Sequence, residues 1–173
     1  MAHAASIDGI TLRTHRPGDI GHIISRHGTL YSKEYGWDCH MEALVARTCA
    51  DFIDTYDPAL ERLWIAEREG GEFVGCVMLF NEKDEASQNS AMLRLLLVEP
   101  ADRGKGVGKM MASHAVEFAR EAGYPKVVVW MQSSDAAREI YRKQGFRKVT
   151  DLEHEAFGAK LAVELWALMF DQA

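Results

Sequence analysis

The sequence predicts an α+β domain with one central mixed, mostly antiparallel sheet of about seven strands, flanked by about four helices. Two observations lead to this prediction. Apolar residues follow helical spacing or short strand-like runs in the order strand, two helices, three strands, helix, strand, helix, two strands. No repeat or low-complexity linker divides the chain, so residues 1–173 are expected to form a single domain.

The N-terminal half is predicted to hold one strand and two helices. Ile10–Arg13 alternates between apolar and polar residues, as a short strand does. A helical pattern then starts at Ile20 and breaks at Gly36. A second apolar stripe predicts a helix over Met41–Tyr56, before Pro58.

The C-terminal half is predicted to consist mainly of strands around one long helix. Gly70-Gly71 indicates a hairpin turn, and Asn81–Ser90 is polar and predicted to be a loop. Helical spacing predicts an amphipathic helix over Gly106–Ala122. The other expected elements are strands at Leu63–Glu67, Phe73–Phe80, Met92–Val98, Lys126–Met131, Phe146–Asp151 and Val163–Phe170, and a short helix at Asp135–Lys143.

Bulk properties exclude several classes of function. The net charge of -6 argues against nucleic acid or a membrane as the main partner, because broad basic surfaces bind both. Cys39, Cys49 and Cys76 form no CxxC pair, which argues against a metal site or a disulfide framework. Neither a signal peptide nor an apolar run of the roughly 20 residues that span a bilayer is visible. We therefore expect a cytoplasmic protein without a metal.

A glycine-rich segment, Arg103-Gly104-Lys105-Gly106-Val107-Gly108-Lys109, joins a buried strand to the long helix. Such a junction presents free backbone N–H groups, and glycine lets a phosphate approach the backbone closely. Arg103, Lys105 and Lys109 add positive charge, and no acidic residue lies between them. The segment predicts a phosphate-binding loop; a turn that only joins the two elements is the alternative.

Three phosphate-binding patterns compete for this segment. A nucleoside-triphosphate loop would need glycine in place of Arg103 and a hydroxyl residue in place of Met110. A dinucleotide fingerprint would need glycine in place of Lys109, together with an all-parallel β-α-β unit. The chain instead satisfies Arg-x-x-Gly-x-Gly, with Arg103, Gly106 and Gly108.

A second motif, Ala-x-x-x-Tyr-x-x-x-Gly-Phe, is formed by Ala137, Tyr141, Gly145 and Phe146. With both motifs in this order, the chain resembles the GNAT superfamily of acyltransferases, whose hallmark is an Arg/Gln-x-x-Gly-x-Gly/Ala loop followed by this second pattern. Residues 27–37 are also similar to a bacterial GNAT subgroup often fused behind MarR-type DNA-binding regulators. No helix-turn-helix is visible, so the expectation is the catalytic module alone.

The resemblance implies acetyl-CoA as co-substrate and direct attack by an amine in a ternary complex. Backbone N–H groups of residues 103–108 would hold the pyrophosphate, and Leu96 and Val98 would pair with the pantetheine arm. Many members have asparagine where this chain has Ser134, whose hydroxyl could instead cap the helix. The implied cofactor-binding residues are Leu96, Val98, Arg103, Gly104, Lys105, Gly106, Val107, Gly108, Lys109, Ser134, Ala137 and Tyr141.

The resemblance also assigns proton transfers. Tyr141 would protonate the departing thiolate, since a phenol with a pKa near ~10 stays protonated at neutral pH; the alternative is a core aromatic. Many relatives carry a glutamate or histidine on the central strand, where this chain has Arg94, which either faces an anionic acceptor or flanks the strand in solvent. His154 and Glu155, in a predicted connection over Glu153–Lys160, are the candidate bases; a solvated loop is the alternative.

In this superfamily the acceptor pocket lies between the first two helices and the last hairpin loop. The residues that fit this position are Tyr31, Glu34, Tyr35, Trp37 and Phe157. Aromatic faces and a carboxylate hold a cationic amine, so Glu34 is the expected counter-charge. Ordinary helix packing is the alternative for the aromatic residues.

The expected function is N-acetyltransferase, with a small-molecule or peptide amine as partner. A non-catalytic acyl-CoA-sensing module is one alternative, and an acetyltransferase of protein lysines or N-termini is another. The sequence leaves open the acceptor, the acyl chain and whether the protein forms a homodimer.

Overall fold

The computed structural model describes residues 6–82 and 89–171. The strands in these ranges are β1 (Ser6–Ile7), β2 (Ile10–Thr14), β3 (Arg62–Arg68), β4 (Phe73–Glu82), β5 (Ser90–Val98), β6 (Lys126–Gln132), β7 (Arg147–Ala156) and β8 (Ala159–Met169). The helices are α1 (Asp19–Tyr35), α2 (Cys39–Thr55), α3 (Val107–Glu121) and α4 (Asp135–Arg142), and a 3-10 turn spans Pro100–Asp102. The predicted fold class is confirmed, with the short β1 as an addition.

The strands form one mixed sheet in the order β1-β2-β3-β4-β5-β6-β8-β7. Only the β5–β6 pair is parallel among the described strands. The predicted loop at 81–90 is shorter, because β4 continues to Glu82 and β5 begins at Ser90; residues 83–88 lie outside the described residues.

The two faces of the sheet are covered by different helices. Successive side chains of a strand point to opposite faces. On β3, Trp64 packs in the cluster that contains Met111 of α3, whereas Leu63 packs in the cluster that contains Val45 and Phe52 of α2. One face therefore packs on α3, and the other packs on α1 and α2.

A bulge in β5 opens the sheet near its centre. Cys76 pairs with Leu97 and Met78 with Arg94, so two residues of β5, Leu95 and Leu96, oppose the one residue of β4 between them. Leu95 has a φ of 54°, a conformation that non-glycine residues rarely adopt. The β5–β6 ladder ends at the pair Leu93–Val129, although both strands continue beyond it. The two strands separate there, since a bulge bends its strand.

The C-terminal strands form a long hairpin, which corrects one expectation. The predicted connection over Glu153–Lys160 is mostly strand: β7 runs to Ala156 and β8 starts at Ala159, with Phe157 and Gly158 in the turn. Both turn residues have positive φ angles, 56° and 75°. An exposed strand with residues of both charges has the same composition as a polar loop. The segment is a strand because its backbone forms hydrogen bonds with β8.

Candidate active site

A cavity of about 910 Å³ lies where β5 and β6 separate. The predicted cofactor residues in its lining are Leu96, Val98, Arg103, Gly104, Gly106, Gly108, Lys109, Ser134, Ala137 and Tyr141. The predicted acceptor residues and base in its lining are Tyr31, Glu34, Tyr35, Trp37, His154 and Phe157. Lys105 and Val107 are not in the lining. The fold thus brings most residues of the two predicted groups to one continuous space.

The start of α3 forms one end of the cavity. Gly106 is the residue before the helix and has a φ of 85°, and no side chain caps this end of α3. The first N–H groups of a helix have no partner within the helix, so they are available to an anion. A Cβ atom on Gly108 would lie 3.2 Å from Cδ1 of Ile140, so glycine also permits close packing of α3 on α4.

Ion pairs already engage two of the three cations in the loop. Lys105 Nζ lies 3.2 Å from Asp102 Oδ1, and the same carboxylate binds Arg68 of β3. The buried Asp102 thus turns Lys105 away from the cavity and fixes the loop to the sheet. Lys109 has no ion-pair partner within 4.0 Å in the described residues.

Arg103 links the loop to helix α1. Its Nη2 lies 2.8 Å from Oε1 of Glu34, and its Nε donates to the carbonyl of Val98. Sequence reasoning assigned Arg103 to the cofactor and Glu34 to an acceptor amine. In the structure Glu34 has a partner within the protein, and its role as counter-charge to an acceptor amine stays a prediction.

Helix α4 presents Tyr141 to the cavity. Ser134 caps the helix by accepting a hydrogen bond from the N–H of Ala137 at 3.2 Å. Arg138 binds Glu164 of β8 at 2.6 Å, which holds α4 against the sheet. Tyr141 is 3% exposed and packs edge-to-face on Phe146 at 5.3 Å. It therefore has the core packing of the alternative interpretation and also lines the cavity.

Burial raises the pKa of Tyr141 above the usual value for a phenol. The second cause is the nearby Tyr31, whose charge would oppose ionisation of Tyr141. The phenol therefore keeps its proton throughout the neutral range. Such a group can donate a proton but does not act as a base at neutral pH.

An aromatic cluster lines the side of the cavity where the predicted acceptor residues lie, which we call the acceptor side. Trp37 lies between α1 and α2 and contacts Tyr31, Tyr35 and Phe157 at ring-centroid distances of 5.4, 5.0 and 5.2 Å. Phe157 reaches the cluster from the β7–β8 turn. The contacts fit the packing alternative, and the same rings also form a wall of the cavity.

His27 is a buried cavity residue that sequence reasoning did not single out. Its Nδ1 lies 2.9 Å from the carbonyl of Ile23, and its buried Nε2 has no hydrogen-bond partner in the described residues. Burial lowers the pKa of His27 to about 4, so the ring is neutral at pH 7. With Nδ1–H as donor, Nε2 carries the lone pair. In the sequence His27 lies on the apolar stripe of the first predicted helix, and nothing else in the sequence marks it as a site residue.

His154 lies on β7, opposite Leu161 of β8, rather than in a loop. Its side chain is exposed and lines the cavity on the same wall as Leu152 and Phe157. The alternation of β7 puts Glu155 on the other face. The structure therefore separates the two candidate bases and leaves only His154 in the cavity lining.

Apolar residues that the sequence did not indicate complete the acceptor side. Leu44, Trp130 and Leu152 line the cavity and are 38%, 41% and 51% exposed. Exposed apolar side chains that converge on one space mark a binding groove. The alternation of side chains along β6 and β7 groups the residues that share a face, but the sequence does not show which face lines a cavity.

Comparisons with known proteins show which family the chain belongs to. The model of the Acetyltransferase (GNAT) family matches residues 28–146. The chain belongs to the GNAT family. It is 30% identical to N-acetyltransferase 8F1 of Rattus norvegicus over 114 residues, which cover 65% of this chain and 51% of that protein. This GNAT chain thus spans about half the length of the curated relatives it matches.

Solved structures of proteins described as acetyltransferases share the fold. Ribosomal-protein-alanine N-acetyltransferase from Brucella melitensis superposes with a TM-score of 0.73 at 19% identity, over 92% of this chain and 99% of that one. The yncA protein of Salmonella typhimurium, solved with acetyl-CoA, gives a TM-score of 0.74 at 18% identity, over 96% of both chains. At these identities the likeness shows the GNAT fold.

Two further observations concern the described ranges alone. None of the helices within residues 6–82 and 89–171 has the length and apolarity needed to cross a membrane. In the same ranges, no three His, Cys, Asp or Glu side chains are grouped so as to hold a metal ion.

Proposed function

We propose that this GNAT domain transfers the acetyl group of acetyl-CoA to an amine by direct attack in a ternary complex. The observation that carries the proposal is the cavity where β5 and β6 separate. It joins the uncapped, glycine-lined start of α3, the open edge of β5, the Tyr141 hydroxyl and an aromatic acceptor wall. A cofactor with a pyrophosphate at one end and a thioester at the other fits such a space.

The loop and β5 would hold the cofactor through backbone groups. N–H groups at the start of α3, with the charge of Lys109, would bind the pyrophosphate. Beyond the Leu93–Val129 pair, Leu96 and Val98 lie on an edge that β6 no longer covers. Backbone groups on such an edge can pair with an extended ligand as with another strand. Bound in this way, acetyl-CoA supplies the activated thioester.

Direct attack fits the chemistry of the cavity lining. In the described lining there is no cysteine, Ser134 is engaged as a helix cap, and Thr48 is buried on α2. A covalent acyl-enzyme needs an activated nucleophile with a neighbouring base. We therefore propose that the amine attacks the thioester itself, while Tyr141 protonates the departing thiolate.

The three free cysteines also support a reducing compartment, so we place the enzyme in the cytoplasm.

The test is a screen of amines with acetyl-CoA, with release of the free thiol as readout. Small amines, amino acids and lysine- or N-terminus-bearing peptides form its arms. Turnover with any arm above the hydrolysis rate supports the proposal, and the preferred arm separates small-molecule from protein acetylation. Saturable binding of acetyl-CoA without turnover in any arm would favour the sensing module instead.

The His154→Ala variant should lower turnover by roughly 10²-fold if His154 removes the amine proton, directly or through water. Glu155→Ala is the matched control, since Glu155 lies on the other face of the same strand. If the two variants turn over at equal rates, His154 is not the group that removes the amine proton.

The Glu34→Gln variant should tighten binding of coenzyme A a few-fold. The change removes the carboxylate that neutralises Arg103, and a partly exposed ion pair contributes about 0.2–1 kcal/mol. Arg103 can then turn to the phosphates. Isothermal titration with coenzyme A measures the effect, and Glu117→Gln on α3 matches the charge change outside the cavity lining. A raised acceptor KM with unchanged coenzyme affinity would instead favour Glu34 as counter-charge to the amine.

A further inference from the structure

Arg94 stands where β5 and β6 begin to separate. The last pairs of the ladder are Met92–Val128 and Leu93–Val129. Side chains two residues apart on a strand point to the same face of the sheet. Arg94 therefore projects from the same face as Met92, and Trp130 projects from the same face as Val128. Arg94 also pairs with Met78, which packs in the cluster of α1 and α2. Arg94 and Trp130 therefore share the acceptor face, and both line the cavity.

The Arg94 side chain is held without a carboxylate partner. Its Nε lies 3.2 Å from the sulfur of Met92, and its guanidinium carbon lies 5.8 Å from the centre of the Phe80 ring. No carboxylate within the described ranges comes within 4.0 Å of it. The residue is exposed on the cavity side of the strand. Its fork of N–H donors is therefore open to a ligand in the acceptor part of the cavity.

The other charges in the cavity favour an anion at Arg94. The carboxylates in the described lining are Glu34 and Glu139, and each is paired, with Arg103 and with Lys143. The acceptor side thus offers an arginine but no unpaired carboxylate. A ligand that brings its own negative charge complements this arrangement, whereas a purely cationic amine does not.

The surroundings of Arg94 are apolar. Leu44 of α2, Trp130 of β6 and Leu152 of β7 expose large side chains to the same space, and the aromatic cluster around Trp37 continues this wall. Binding pockets commonly combine an apolar lining with a few polar groups that fix orientation. Here the apolar residues would contact the body of the ligand, and Arg94 would orient it.

We propose that the acceptor is an amine that also carries a carboxylate on an apolar body, as apolar amino acids do, and that Arg94 binds the carboxylate. This substrate class rests on the acetyltransferase function proposed above. A planar guanidinium binds a carboxylate through two parallel hydrogen bonds, which fixes the direction of the neighbouring amine. Arg94 contacts the substrate, but it takes no part in the proton transfers.

The step balances with groups already placed in the cavity. The neutral amine nitrogen forms a bond to the acyl carbon, and the carbon–sulfur bond breaks with its electron pair on sulfur. Sulfur receives the proton of Tyr141, and nitrogen loses one proton to His154 or to water. A proton from solvent then restores the Tyr141 phenol. The products are an N-acetylated acid and free coenzyme A.

The test compares leucine, methionine, phenylalanine and tryptophan with their amides, which keep the amine and the side chain but lack the carboxylate. The wild-type protein and the Arg94→Gln variant are assayed by thiol release. We expect kcat/KM for the acids to fall about 10- to 100-fold in the variant, the loss of a hydrogen-bonded charge pair, and that for the amides to change less than threefold. The ratio of the two effects isolates the carboxylate contact, as in a double-mutant cycle.

Arg94→Lys provides the matched control. Lysine keeps the charge and loses the fork, so it should recover part of the activity on the acids, whereas activity on the amides should stay within threefold of wild type. Equal losses on acids and amides would overturn the proposal, because Arg94 would then support the strand rather than the substrate. Turnover of amides, or of other amines, without turnover of any acid would overturn it too. Absence of turnover with every amine would instead refute the acetyltransferase function itself.

Discussion

Tyr141→Phe should lower kcat by roughly 10²–10⁴-fold, the usual contribution of a positioned general acid. Phenylalanine keeps the edge-to-face contact with Phe146 and deletes the only proton that the side chain can donate. Affinity for acetyl-CoA should change little, because the ring still fills its place. Steady-state kinetics and isothermal titration measure the two quantities separately.

The pH dependence of Tyr141→Phe sharpens this test. The pKa of Tyr141 is raised by burial, so the phenol is protonated both below and above neutrality. The variant should therefore lose activity by the same factor across the neutral range, without a new limb in its pH profile. Tyr124→Phe is the control, since it removes a buried hydroxyl that bonds to the carbonyl of Leu60, outside the cavity. If kcat survives in Tyr141→Phe, the thiolate leaves without help and Tyr141 serves packing alone.

Gly106→Leu should abolish measurable binding of acetyl-CoA at ordinary concentrations. Gly106 lines the cavity beside the first N–H groups of α3, and we expect a bulky side chain there to hinder the approach of the pyrophosphate. Loss of two hydrogen bonds to a charged group, each worth about 1.5–3 kcal/mol, weakens binding about 100-fold or more. The measurement is the shift of Tm that acetyl-CoA produces, which compares each variant with itself.

Gly123→Leu is the matched control for backbone strain. Gly106 and Gly123 have φ angles of 85° and 84°, so leucine meets the same penalty at both. A Cβ atom on Gly123 has no neighbour within 4 Å, and on Gly106 it meets only the end of the Ile7 side chain at 3.2 Å. Both variants should lose similar stability, but only Gly106→Leu should lose the Tm shift. A normal shift in folded Gly106→Leu would remove the loop from the cofactor site.

The two motifs could be predicted because their requirements are local. Gly106 directly precedes α3 and has no side chain that could cap it, so the first N–H groups of the helix are free whatever the rest of the fold. Tyr141 and Phe146 lie on one short segment, so their contact follows from spacing. The family model and the shared fold bear out the class of protein that these motifs indicate.

The acceptor side of the cavity could not be predicted in detail, because contacts between segments that are distant in the sequence form it. Glu34 and Arg103 belong to different elements, and nothing in the sequence indicated that the two side chains form an ion pair. His154 became a strand residue because β8 supplies its hydrogen-bond partners. A strand with exposed polar residues has the same composition as a loop, so only its neighbour distinguishes the two.

The sequence by itself determined the order of the elements, the GNAT motifs and the place of the glycine-rich loop, because apolar periodicity and glycine conformation act within a few residues. Only the tertiary structure decided which side chains meet in the cavity. The bulge at Leu95 and the register of β5 on β6 put Arg94 and Trp130 on one open face. A register shift of one residue moves a side chain to the opposite face, and pairing between distant strands alone fixes that register.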